Sequence, residues 1–100
     1  MLTIKDTNLD LRLTTGKVKN LERLLDISLM SELRKSTGML SFSLLEGLFS
    51  IGLIDVQEDK PIHGKKATDL LEEALKEHGY MEVNAFCLTC VERDLGFLFQ

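Results

Sequence analysis

The sequence predicts a mainly α-helical fold: a small multi-helix domain over residues 1–100, packed around one central apolar helix. Three observations carry that prediction. Residues 39–56 (MLSFSLLEGLFSIGLIDV) place large apolar side chains at eleven of eighteen positions and contain no proline. At about 100° per residue these side chains fall on nearly every face, as in a helix buried on several sides. Leucines at helical spacing recur on both flanks, from Thr15 to Lys35 and from Lys66 to Asp94. Finally, 44% hydrophobic and 28% charged residues with one proline is the composition of a folded globular domain. Glu46, Gly47, Ser50 and Gly52 interrupt the central stretch, so it does not read as a membrane span of about 20 apolar residues.

Leu2 and Ile4, then Leu9, Leu11 and Leu13, alternate with polar neighbours. That period of two admits a short N-terminal β-hairpin turning at Asp6, Thr7 and Asn8. From Thr15 the period lengthens. Val18, Leu21, Leu24 and Leu25 form the inner face of a first helix, with Thr14 or Thr15 as its N-cap. Ser28 is placed to cap a short second helix through Lys35, with Leu29, Met30 and Leu33 inward. Ser36-Thr37-Gly38 ends it, glycine taking the left-handed cap conformation without a Cβ penalty. The central helix follows.

Residues 55–66 (DVQEDKPIHGKK) hold the only proline and six charged side chains, and read as a loop within the domain. A helix starting at Lys66 or at Thr68-Asp69 puts Leu70, Leu71, Ala74 and Leu75 on one face, with Glu72 and Lys76 as an i,i+4 pair. His78 suits its last turn and Gly79 stops it. The last helix runs from Met81 to Asp94 with Val83, Phe86, Cys87, Cys90 and Val91 inward, and Gly96 ends it.

Charge narrows the partners. A net charge of −4 and a pI near 5.1 argue against binding a nucleic-acid backbone, which requires clustered Lys and Arg. Lys5, Asp6, Asn8 and Asp10 follow Met1 closely, so no apolar leader core is expected. Two cysteines make no disulfide framework, and the expectation is an intracellular protein away from membranes.

The chemistry-bearing residues give weak signals. Cys87 and Cys90 stand three apart in mid-helix on an apolar face, where a thiol packs as a small hydrophobe. A zinc site would need His63 and His78 as further ligands in an unusual order, and a redox pair would sit at a helix N-terminus. His63 and His78 have no nucleophile at a suggestive spacing and read as exposed residues without a special role. The adjacent acids Glu58-Asp59 and Glu72-Glu73 point apart, and His63-Gly64-Lys65-Lys66 lacks the remaining glycines of a phosphate loop. No enzyme activity, cofactor or metal is expected. The apolar tail is different. Leu95, Phe97, Leu98 and Phe99 either fold back onto the domain's own core or meet another subunit or a client.

The order of these segments has a parallel. Residues 11–25 (LRLTTGKVKNLERLL), the apolar middle helix, the polar loop and the closing helices with their GFLF end resemble tail assembly chaperones of long-tailed phages and prophages of Gram-positive bacteria. The resemblance spans Leu9 to Phe99 and rests on patterns of leucines and charges. It departs at residues 25–29 (LDISL), where that family often has a glycine-containing link, and at the Cys87/Cys90 pair. It implies a non-enzymatic chaperone that keeps the phage tape measure protein soluble while the tail tube assembles. The implied partners are the tape measure protein and the tail tube protein. It further implies a homo-oligomer in the cytoplasm of the bacterial host, absent from the mature virion. The alternative is a small intracellular adaptor or regulatory protein that binds a partner helix between its last two helices.

Overall fold

The computed structural model describes residues 1–99, the Phe99 side chain excepted. Among the described residues the chain is mainly helical, with five α-helices and a four-stranded antiparallel sheet in sequential order. β1 (Leu2–Ile4) and β2 (Thr7–Leu11) form the hairpin, with Leu2 opposite Leu9 and Ile4 opposite Thr7. Its turn is Lys5-Asp6, not Asp6 to Asn8. Both turn residues have positive φ (47° and 64°), the geometry that matches strand twist in a two-residue loop.

α1 (Thr15–Leu25) is capped by Thr14, whose hydroxyl accepts from the Lys17 amide at 3.2 Å. Val18 and Leu21 are buried as the period requires, but Leu24 is 79% exposed. Leu24 lies roughly 60° around the helix beyond Leu21, past the edge of the strip that meets the core. α2 (Leu29–Lys35) is capped by Ser28 and closed by Thr37 and Gly38, both with positive φ. Leu29 is buried, whereas Met30 and Leu33 are only half-buried.

α3 (Phe42–Gly52) is the predicted hub, contacting α1, β2 and a third strand and two further helices defined below. Leu44, Leu45, Leu48, Phe49 and Gly52 are buried, while Phe42, Ser43 and Glu46 are exposed. The helix is therefore shorter than residues 39–56; neighbours cover it on several sides, as expected, and leave an exposed strip at Phe42, Ser43 and Glu46. Residues after Gly52 leave it as β3 (Leu53–Asp55), because β2 offers an open ladder: Leu11 faces Leu53 and Leu9 faces Asp55. Gly52 permits the crossing. A Cβ there would stand 2.8 Å from Leu13 Cδ2 and 3.0 Å from the Arg12 carbonyl oxygen.

The segment read as a loop doubles back as β4 (Lys60–Pro61), with proline on an edge strand where no amide is needed. The Asp55 carboxylate makes the turn by accepting from the Gln57 and Glu58 amides. α4 (Gly64–His78) starts two residues before Lys66, and α5 (Tyr80–Leu95) follows after Gly79 alone. Gly79 has φ 85° and ψ 161°, a conformation that spares the chain a longer connection and that side chains resist. The i,i+4 ion pair within α4 is Lys65–Asp69 at 3.0 Å; Glu72 and Lys76 do not pair. Beyond α5 the chain makes one 3-10 turn (Gly96–Phe99).

His78 is not the free surface residue the sequence suggested. Its Nε2 lies 2.7 Å from the Thr3 carbonyl oxygen and its Nδ1 3.0 Å from Glu82, tying the α4–α5 junction to β1. Only the imidazolium donates both bonds at once. The Thr3 carbonyl raises its pKa above 6.5; burial offsets part of this, and Glu82 and Glu77 add to it. With the folded value raised, the added stability is complete below the unfolded pKa and is lost as pH climbs through the folded one. The thermal midpoint of the native chain is thus expected to fall over that window relative to His78→Gln. Parallel pH profiles for the two proteins would refute the bridge.

Candidate partner-binding groove

A groove of about 340 Å³ opens between α1, α2, α5 and the closing 3-10 turn. Its floor is Val18, Leu29, Val91 and Leu95, all buried, with half-buried Met30 at one side. Leu98 lies on its rim, 41% exposed, and the neighbouring Phe97 is 57% exposed. Lys19 and Glu22 are its charged lining residues.

Polar contacts fix the walls of this groove relative to one another. Glu22 of α1 accepts from the Leu29 amide at 2.6 Å, placing a carboxylate at the N-terminus of α2, where the exposed amides and the dipole favour it. Asp94 of α5 accepts from the Leu13 amide at 2.8 Å, just before α1 begins. Arg93 bonds Asp94 through Nε at 2.8 Å and Asp10 through Nη1 at 3.0 Å, and Nη2 donates to the Leu11 carbonyl. The guanidinium holds the Asp94 carboxyl below the usual carboxylate range, with the Leu13 amide adding to the effect. β2, the entry to α1 and the end of α5 are thereby locked together. Sequence reasoning missed Asp10, Glu22, Arg93 and Asp94. Asp10 and Arg93 meet across 83 residues, so no local pattern could have paired them.

The structure divides the four predicted tail residues. Leu95 is 1% exposed and belongs to the core, where it floors the groove; it cannot itself be surface, because α5 continues one residue past Asp94 and turns it inward. Phe97 and Leu98 are at the surface, and the Phe99 side chain lies outside the described residues. The groove runs between α1, α2 and α5 rather than between α4 and α5, the last two helices.

Cys87 and Cys90 are buried free thiols in the middle of α5. Burial pushes Cys87 up to about 12 and Cys90 up to about 11. Cys90 also donates to Asp10 at 3.4 Å. Such thiols stay protonated at neutral pH and make poor nucleophiles. Among the described residues no three or more His, Cys, Asp or Glu side chains gather as metal ligands, and no helix is long and apolar enough to cross a membrane. Comparison of the chain with protein-family models, curated proteins and solved structures finds no match.

Proposed function

We propose that this chain is a non-enzymatic binding protein that shields an apolar helical client, and that it serves as a phage tail assembly chaperone for the tape measure protein. The observation that carries the reading is the open groove with Phe97 and Leu98 exposed beside it. Exposed apolar side chains around a concave apolar floor are what an amphipathic helix needs to dock. The pattern of segments that resembles the tail chaperones supplies the choice of client. Sealed, protonated thiols support binding over nucleophilic chemistry. On this reading the chain acts as a homo-oligomer in the host cytoplasm, also meets the tail tube protein, and is left out of the finished virion.

The test is co-expression with the protein encoded immediately downstream, followed by affinity capture through this chain. A soluble complex with a long, otherwise insoluble helical protein is expected. Phe97→Asp with Leu98→Asp is expected to weaken capture by about 2 kcal/mol, roughly thirtyfold in affinity, at an unchanged melting temperature. A chain recovered alone, with its neighbour still insoluble, overturns the chaperone reading in favour of an adaptor.

A further inference from the structure

The outer strip of α3 presents a second surface, separate from the groove at the end of α5. Three hollows flank it: about 360 Å³ between α3 and α4, about 280 Å³ between α1 and α3, and about 200 Å³ at the start of α3. They adjoin through shared lining residues. Glu46 lines the first two, and Leu25 and Ser43 line the last two. Phe42, 63% exposed, stands over the first hollow and Leu24 over the second. The strip itself is low because Ser43, Gly47 and Ser50 line the middle hollow. α1 closes tightly there: a Cβ on Gly47 would stand 2.4 Å from Leu21 Cδ1.

Charge selects the occupant. The ionisable residues lining the three hollows are Glu32, Glu46, Asp69 and Glu72, and none is basic. Asp69 shares an exposed pair with Lys65, whereas Glu32, Glu46 and Glu72 join no ion pair among the described residues. Uncompensated carboxylates around a trough of mixed polar and apolar lining repel acidic segments and attract cationic ones. The eleven residues of α3 run about 16 Å, three turns of helix. We propose that this face docks a basic amphipathic helix, its apolar stripe against Phe42 and Leu24 and its lysines or arginines toward Glu46 and Glu72. The inference does not rest on the identity of the client at the other groove.

Fluorescence anisotropy on the full chain tests it. The probe is a labelled peptide of about 18 residues with leucine at i, i+3, i+4, i+7 spacing and lysine elsewhere. Glu46→Lys with Glu72→Lys is expected to weaken binding about tenfold and to flatten its salt dependence. Glu58→Lys with Glu92→Lys, the same change in net charge in the β3–β4 turn and on α5, is expected to change it less than about twofold. Phe42→Ser is expected to weaken binding with no change in salt dependence. Equal losses in the two double variants, equal binding of a leucine–glutamate peptide, or no binding at all each overturn the proposal. So does light scattering that shows a dimer which Glu46→Lys with Glu72→Lys converts to monomer, since the occupant is then a second copy of the chain.

Discussion

Phe49→Ala is expected to destabilise the fold by about 3–5 kcal/mol, a large share of the roughly 5–15 kcal/mol available to a domain of this size. Phe49 is fully buried in α3, and its ring meets Phe86 of α5 edge-on, with centroids 6.3 Å apart at 75°. Truncation removes the transfer free energy of the ring and leaves a cavity where the hub helix meets the helix that floors the groove. The edge-on contact is lost as well. Phe49→Leu keeps most of the volume and is expected to lose roughly 1–2 kcal/mol. Urea unfolding at unchanged slope measures both. A loss below about 1 kcal/mol for the alanine variant would mean that the site collapses to refill itself.

Asn84→Leu is the second large effect, about 2–4 kcal/mol, and its cause is polar. Asn84 is the one buried polar or charged residue among the described residues. Its Oδ1 accepts from the Leu40 amide at 3.0 Å and its Nδ2 donates to the Gly38 carbonyl at 2.8 Å. Those two partners fix the amide's orientation. The Tyr80 hydroxyl donates to the Leu40 carbonyl at 2.6 Å, so two α5 side chains hold the connection between α2 and α3. That connection contains Thr37 at φ 52°, a conformation β-branched residues resist, and it persists because its surroundings over-determine it. Leucine fills the space of the amide but strands one donor and one acceptor, at about 1–3 kcal/mol each. Hydrogen exchange at the Leu40 amide is expected to accelerate in Asn84→Leu beyond the global loss of stability. Uniform acceleration over the whole chain would show that Asn84 acts as packing alone.

Several features were legible because they are local. Thr14 and Ser28 cap the helices assigned to them, since a hydroxyl satisfies an orphan amide three residues on wherever the chain lies in the fold. The α4–Gly79–α5 punctuation and the inward face of Cys87, Cys90 and Val91 follow from glycine's backbone freedom and the 3.6-residue period. The period fails where a partner decides. Residues 53–55 fit helix or strand, and β2 makes them strand by offering its unpaired edge, more than forty residues back in the chain. Leu24 and Leu95 are both leucines near helix ends, yet one is 79% and the other 1% exposed, because Leu24 faces past the edge of the strip of α1 that meets the core whereas Leu95 faces into the core.

The helical class, the central position of α3, the N-terminal hairpin and the caps are all readable along the chain. These depend on side-chain period and on chemistry within four residues. Tertiary structure alone decided which apolar side chains stay in water, which carboxylates remain unpaired and where the grooves open. Arg93 reaches Asp10, and Asn84 reaches Gly38 and Leu40, only after the chain has closed loops of many tens of residues. A docking surface is the complement of such closures: it is the part of each amphipathic face left without a neighbour once the rest have packed.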